Sequence, residues 1–152
     1  MINISEKNMS FEEYLEERKI NKSIVDSLLK KSDVIIIPAK LQTSVVVNTD
    51  LMAVSKIMKT KGLKVTIAKE KNQEIDVAEH RTADILLNVG IIVADKALDM
   101  LFAIAGMYIY DRYLKGKDLK EDEIPFVKTT YYDLKNGKFV ERIERADKMP
   151  RK

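Results

Sequence analysis

Four polar residues follow one another at intervals of four positions: Asp76, His80, Asp84 and Asn88. On an α-helix this spacing places all four on one slowly drifting face. Neighbouring carboxylate and imidazole groups could bind a divalent metal, or a carboxylate could orient the imidazole as a general base. A metal site also needs ligands from a second element, and no paired motif such as H-E-x-x-H supplies them. We therefore predict no metal, and the pattern favours a solvated polar face.

A second group of polar and aromatic residues closes a long segment that favours helix. Asp111 and Arg112 are adjacent there, and a basic group near a helix C-terminus is favourable without any function. The tyrosines around them are predicted to be core or interface anchors, since no basic stripe accompanies them as a base-stacking platform would need. The candidate binding residues from both groups are Asp76, His80, Arg81, Asp84, Asn88, Tyr110 and Asp111.

Several kinds of chemistry are excluded by the residues that the sequence lacks. Without cysteine there is no disulfide, no thiolate zinc site and no cysteine nucleophile. A single histidine severely limits triad chemistry, and neither a G-x-G-x-x-G nor a G-x-S-x-G motif is present. We therefore predict no catalytic residue and no cofactor, and a non-enzymatic protein is favoured.

The charges are mixed evenly along the chain. There are 27 basic and 24 acidic residues, for a net charge of +3. Such mixing is typical of a solvated surface and does not favour a nucleic-acid partner. The lack of cysteine, together with an N-terminus that has no apolar signal core, predicts a cytoplasmic protein. A composition rich in lysine and poor in glycine and proline suggests an AT-rich prokaryote or one of its phages as the source.

The four polar residues at 76, 80, 84 and 88, which we call the polar stripe, lie at the start of the long segment that favours helix, over 75–114. It contains no proline, and its only glycines are Gly90 and Gly106. Forty residues is too long for one ordinary helix. We predict a break near Gly90, with helices over 75–89 and 91–114.

Much of this segment is apolar enough to resemble a membrane span, but Asp95, Lys96 and Asp99 interrupt it. Each of these charges would cost roughly 2.5–3.5 kcal/mol at a bilayer centre, so a span is not predicted. An apolar helix must still be covered on most sides. We expect the sheet to cover one side and a second copy of the chain, or another protein partner, to cover the other. The candidate interface residues are Asp95, Asp99, Phe102 and Met107.

The remaining elements predict an α/β fold, with α+β as the alternative. Continuous apolar runs indicate buried strands, and a strand, a helix and a strand in succession indicate a βαβ unit within a small mixed sheet. Ser10 and Glu13 form a capping box before the first helix. Strands are predicted over 33–38, 44–48 and 63–68, and helices over 11–19, over 49–61 and in a short segment ending at 31; the last two strands and the helix between them form the βαβ unit.

The C-terminal region predicts a β-hairpin. Asn136-Gly137 allows positive φ at both turn positions and lies between two strand-like runs, over 126–134 and 138–145. A two-residue turn would pair Tyr132 with Glu141. Residues 1–146 are predicted to form one domain, and 147–152 a flexible tail.

Two short blocks resemble an uncharacterised bacterial α/β family. They are Glu-His-Arg-Thr-Ala-Asp at 79–84 and Tyr-Ile-Tyr-Asp-Arg-Tyr-Leu-Lys-Gly at 108–116. The chain departs from that family in having no proline soon after Asp84. The resemblance implies a related fold and no known activity. It marks Arg81, Asp84, Tyr110 and Asp111 as residues with a shared structural or binding role.

Three functions follow from these patterns. The leading one is a non-enzymatic interaction or regulatory module, self-associating or partnered, because apolar helix is in excess and no catalytic constellation is complete. The first alternative is a ligand-binding domain or small enzyme, whose site lies at the carboxyl ends of the strands with Asn48, Thr49, Asp50, His80 and Asp84. The second alternative is peripheral membrane association through 85–110.

Overall fold

The computed structural model describes residues 2–40, 43–79 and 84–150. In these residues four α-helices accompany two mixed sheets, which confirms the predicted α/β class. In chain order the elements are β1 (Ile2–Asn8), α1 (Phe11–Glu17), α2 (Lys22–Leu29), β2 (Val34–Ile36), β3 (Ala39–Lys40), β4 (Ser44–Asn48), α3 (Thr49–Thr60), β5 (Val65–Ile67), β6 (Glu74–Ala78), β7 (Ile85–Ile92), α4 (Asp95–Ile109), a π-helical turn (Tyr110–Leu114), β8 (Phe126–Asp133) and β9 (Lys138–Arg145).

The larger sheet has six strands in the order β1-β9-β8-β7-β2-β5, and helices pack on both of its faces. Apolar residues of α3 and α4 share one core with alternate residues of the central strands, such as Val34 and Ile36. The intervening Ile35 belongs to the other core, with residues of α1 and α2. There Tyr14 stacks on Tyr132 at 4.7 Å between ring centres. The central strands are therefore buried on both faces, which explains their continuous apolar runs.

The smaller sheet has three strands in the order β3-β4-β6. β3 pairs antiparallel with β4, and β6 pairs parallel with it on the other side. β6 is therefore an edge strand, and all five of its residues are exposed.

The predicted helix over 75–89 is wrong, because this region contains β6 and most of β7. β7 lies between β2 and β8, and five of its apolar residues are at most 5% exposed. A short apolar run fits a buried strand or a buried helix equally well, and the neighbouring strands decide which forms. Gly90 does not break a helix; it follows a β-bulge in β7, with φ at +110°. Within the segment 75–114, the predicted helix agrees with the structure only from Asp95 onward.

The βαβ unit is predicted with the right elements but the wrong pairing. β4, α3 and β5 form close to their expected positions. However, β4 lies in the smaller sheet and β5 in the larger one, where β5 pairs parallel with β2. The connection from β2 to its parallel neighbour therefore passes through β3, β4 and α3.

The C-terminal hairpin is confirmed, but its register is two residues from the predicted one. Tyr132 lies opposite Phe139, and Asp133 lies opposite Lys138. The turn is longer because the Asp133 carboxylate accepts hydrogen bonds from the backbone and side-chain amides of Asn136, at 3.3 and 2.8 Å. A shift of two keeps every side chain on its predicted face.

Both ends of the described residues contact the rest of the domain. The polar N-terminal residues form β1, an exposed edge strand whose stability comes from pairing with β9. In the segment predicted as a flexible tail, the Met149 side chain is only 4% exposed and packs in the core. The predicted capping box of Ser10 and Glu13 is present at the start of α1. No helix in the described residues combines the length and apolar character needed to cross a membrane.

Candidate functional site

Asn48 joins β4 to α3 and holds this junction against the larger sheet. Its side-chain oxygen accepts the Leu51 backbone N–H at 2.8 Å and so caps the helix. Its side-chain nitrogen donates to the Leu86 carbonyl of β7 at 2.7 Å. The first turn of α3, with Thr49 and Asp50, is thereby placed beside the start of β7.

Asp50 is surrounded by donors from the C-terminal end of α4. The Tyr108 hydroxyl donates to Oδ1 at 2.7 Å, and the Tyr113 hydroxyl donates to Oδ2 at 2.7 Å. The Arg112 Nε lies 3.6 Å from Oδ1. The Asp50 side chain is only 13% exposed. The helix dipole favours a carboxylate in the first turn of α3. The hydrogen bonds to this carboxylate join α3 to the end of α4.

The π-helical turn brings these donors together. The Lys115 N–H donates to the Tyr110 carbonyl at 2.8 Å, five residues back instead of four. This wider turn puts residues at both i+4 and i+5 on the same face. Arg112 and Tyr113 therefore both approach the carboxylate that Tyr108 binds. Turns of this kind are rare and occur often at functional sites.

The hydroxyl protons of this cluster are strongly held. Burial and the hydrogen bond to Asp50 raise the pKa of Tyr113 to about 12. The same two causes raise the pKa of Tyr108 further. In the other core, burial raises the pKa of Tyr14 to about 12. All three tyrosines are therefore neutral at physiological pH, and Tyr108 and Tyr113 are hydrogen-bond donors to Asp50.

The stability of the fold is expected to decrease as pH rises from about 10 to about 12. An unfolded tyrosine loses its proton near pH 10, whereas folded Tyr14 and Tyr113 hold theirs to about 12. The folded state therefore binds more protons in this window, so stabilisation present below pH 10 is lost as pH rises. Melting temperature and tyrosinate absorbance would be followed together. Tyr113→Phe is the control, and its melting temperature is expected to decrease less steeply with pH. Ionisation of all six tyrosines near pH 10 in an intact fold would contradict this.

A cleft of about 480 Å³ opens beside the Asp50 cluster. Among the described residues, the cleft is lined by four carboxylates, two basic groups, Tyr113 and a few apolar residues. Arg112 spans the cleft wall, with its Nη2 lying 3.5 Å from Glu79. The charged lining residues are Asp50, Glu79, Asp84, Glu123, Arg112 and Lys117.

The predicted polar stripe is divided between two sheets. Asp76 is exposed on β6, while Asn88 lies on β7 and accepts a hydrogen bond from the Thr130 hydroxyl at 2.8 Å. Asp84 precedes β7 and lines the cleft. His80 and Arg81 lie outside the described residues. Of the stripe, the described residues thus contribute only Asp84 to the cleft.

The other predicted site residues in the described part of the chain do not line the cleft. Tyr110 lines a separate cavity of about 190 Å³, and Asp111 is exposed. Asp95 forms an ion pair with Lys135. The predicted interface residues fall in different environments: Asp95 and Asp99 are exposed, Met107 is 51% exposed, and Phe102 is 8% exposed.

Phe102 is a core residue of the protomer. Its ring meets Tyr131 edge-on at 6.1 Å between centres, and the Arg142 guanidinium lies 4.4 Å from its centre. In place of these candidates, the structure assembles Asp50, Tyr108, Arg112 and Tyr113, which sequence reasoning did not group. The one available signal was a carboxylate directly after a strand and a cap, at Asp50. On a regular α-helix, positions i+4 and i+5 point in different directions around the axis, so the spacing of these donors does not predict that they meet.

The edge strand β6 carries a second candidate surface, which we call the β6 edge (Glu74–Ala78). Ile75 is 38% exposed and Val77 is 51% exposed. In the parallel pairing they lie beside Val45 and Val47, which are 0% and 2% exposed. Glu79 follows directly and lines the cleft, so the β6 edge leads into it.

Among the described residues, no group of three or more histidine, aspartate or glutamate side chains is arranged to hold a metal ion. No protein-family model, no curated protein and no solved structure matches the chain. The resemblance to a bacterial family therefore stays a prediction from two short sequence blocks.

Proposed function

We propose that this protein is a non-enzymatic interaction module, which binds a protein partner by accepting an added strand at the β6 edge. One observation carries the proposal: β6 is an edge strand exposed on both faces, with Ile75 and Val77 among its exposed residues. An edge strand presents unpaired backbone N–H and C=O groups, which are a template for a further strand. Adding a strand to an open sheet edge is a common way to bind an extended peptide.

The outer strands of the larger sheet are less suited to this role. β1 is also exposed, but its charges have partners within the chain: Glu6 with Lys138 at 3.1 Å and Lys7 with Glu17 at 4.0 Å. β5 is half-buried. In the part of the chain that the structure describes, Glu74 and Asp76 of β6 have no ion pair. Charged residues on an edge strand normally discourage pairing with a further strand. Because Glu74 and Asp76 have no ion pair, the β6 edge is expected to accept only a strand whose charges are compatible with theirs.

The geometry around Asp50 supports a positioning role more than a catalytic one. Both carboxylate oxygens accept tyrosine hydroxyls, and Arg112 lies beside them. A general base needs a free oxygen within hydrogen-bonding reach of the proton that it removes. These contacts therefore favour a structural role for Asp50.

Capture of a partner by the purified protein is expected to depend on the β6 edge. In Ile75→Lys/Val77→Lys, two ammonium groups replace exposed apolar side chains and oppose strand addition, as lysine does on natural edges. We expect this variant to lose a partner that the unchanged protein captures from cells that produce it. Quantitative mass spectrometry of the captured material would measure the loss.

The matched control is Ile2→Lys/Ile4→Lys, which changes two residues that are 45% and 53% exposed on β1. It adds the same charge at the edge of the other sheet and is expected to retain the partner. Equal capture by all three proteins would refute a role for the β6 edge. Light scattering of the same samples would test the predicted self-association, for which exposed Met107 remains a candidate contact.

A second candidate function is the binding of a small polar ligand in the cleft. The observation in its favour is position: Thr49, Asp50 and Asp84 line the cleft where β4 ends. Ligands of α/β proteins bind beyond the carboxyl ends of strands. Membrane association through 85–110 loses its motivation, because most apolar side chains of that segment pack in the core.

A further inference from the structure

The two faces of the β6 edge differ in chemistry. Ile75 and Val77 lie on one face, and Glu74 and Asp76 on the other, because side chains alternate along a strand. The apolar face continues the buried face of β4, since Ile75 pairs in register with Val45 and Val77 with Val47. A strand added outside β6 would therefore place alternate side chains beside Ile75 and Val77 and cover them.

The other face is acidic. The residues of β4 in register with Glu74 and Asp76 are Ser44 and Val46, which carry no charge. These two carboxylates therefore supply the charge of this face. Opposite charges directly across a strand pair are favourable, and like charges are unfavourable. An added strand is thus expected to place basic side chains on this face.

A second copy of the chain does not meet these requirements. In a two-fold antiparallel pairing of β6 with itself, residues of the same face meet when the register is centred on a residue. The acids of one copy then face the acids of the other, as when Asp76 lies opposite Asp76. When the register is centred between residues, the acids of one copy share a face with Ile75 and Val77 of the other. Both arrangements are unfavourable, so the β6 edge selects a different chain.

We propose that the β6 edge binds an extended segment of a partner protein in which basic and apolar residues alternate. This deepens the proposed function and rests on it. Five residues of β6 span about 17 Å, so the segment needs five to seven residues in strand conformation. Backbone hydrogen bonds supply strand pairing, Ile75 and Val77 contact its apolar residues, and Glu74 and Asp76 contact its basic ones.

The test uses three end-blocked, fluorescently labelled heptapeptides and measures anisotropy with the whole protein. The first alternates lysine and valine. The second has the same composition except for a central proline, which removes an N–H and opposes a strand. The third alternates glutamate and valine. We expect the first peptide to bind, with an affinity that decreases as salt increases, and the other two to bind at least about tenfold more weakly.

Two charge variants identify the surface. Glu74→Gln/Asp76→Asn is expected to weaken binding of the lysine–valine peptide about fivefold, as two exposed ion pairs are removed. Glu12→Gln/Glu16→Gln is the control. It removes the same total charge from exposed positions on α1 and is expected to leave the affinity unchanged. Circular dichroism would establish that both variants fold.

Equal effects of the two double variants would overturn the proposal, since attraction would then come from net charge alone. Equal binding of the proline peptide would also overturn it, because no strand would be needed. Failure of this inference is distinct from failure of the proposed function. If Ile75→Lys/Val77→Lys loses the natural partner while the glutamate–valine peptide binds as well as the lysine–valine one, the β6 edge binds partners but does not select basic segments.

Discussion

Gly90→Ala is expected to lose most of the stability of the fold. Gly90 has a φ of +110°, a region that L side chains rarely adopt. A Cβ placed there would lie 2.4 Å from the Ile35 carbonyl oxygen and 2.7 Å from the Ile37 backbone nitrogen. Both atoms belong to backbone in or beside β2, which pairs with β7 at the centre of the larger sheet. Neither can move without disturbing this pairing.

The expected loss is more than about 4 kcal/mol. Backbone strain at positive φ accounts for about 1–3 kcal/mol, and displaced strand pairing adds to it. Domains of this size are stable by only about 5–15 kcal/mol in total. Urea unfolding followed by circular dichroism would measure the change, and failure to obtain folded protein would agree with it.

Gly62→Ala separates the two causes. Gly62 has a similar φ of +93°, but a Cβ there would meet no atom within 4 Å. Its substitution is therefore expected to cost only the backbone strain, about 1–2 kcal/mol. If the two variants lost equal stability, the close approach of β2 to Gly90 would not be a constraint on the fold.

Glu144→Gln is expected to destabilise the protein by about 3 kcal/mol. The Glu144 side chain is fully buried in β9, and its Oε2 lies 2.6 Å from the Arg142 Nε. Arg142 in turn packs over the Phe102 ring. The substitution removes one charge and leaves the other beside an apolar core, which is the costly way to change a buried ion pair.

Removing both charges is expected to cost much less. Arg142→Met/Glu144→Leu replaces the pair with apolar groups of similar size, and we expect stability within about 1 kcal/mol of the original protein. Glu121→Gln is the control, because it breaks an exposed ion pair with Arg145 and should cost less than about 1 kcal/mol. Thermal and urea unfolding would compare the three. A double variant less stable than Glu144→Gln would argue that the ion pair itself stabilises the fold.

The predictions that succeeded rest on short-range interactions. Ser10 and Glu13 form the capping box of α1 because both bonds are made within four residues. The apolar run at 33–38 contains β2, and the Asn-Gly turn lies between β8 and β9. In each case the residues that stabilise the structure are neighbours in the sequence.

The prediction of a polar helix failed for an identifiable reason. Asp76, Asp84 and Asn88 are spaced by multiples of four, and such positions share a face on a strand as well as on a helix. The apolar run that follows does not distinguish the two structures by periodicity. β7 is a strand because β2 and β8 lie on either side of it, and both are distant in the sequence.

The candidate site was even less accessible to sequence reasoning. Asp50 and its donor Tyr108 are 58 positions apart. Their meeting depends on how α3 and α4 pack, and on a π-helical turn that changes which residues share a face. The β6 edge depends likewise on β4 and β6 forming their own sheet.

The sequence by itself determined the α/β class, the capping box of α1, the C-terminal hairpin and the positions of β2, β4, β5, β8 and β9, because these follow from contacts between residues close in the chain. It also determined that Ile75 and Val77 alternate with Glu74 and Asp76. Only the tertiary structure decided that these residues form an open edge, that Asp50 is enclosed by two tyrosines, and that Glu144 is buried with Arg142. The open edge arises from the division of the strands between two sheets, and the other two features from the packing of helices and strands; both are set by contacts between distant segments.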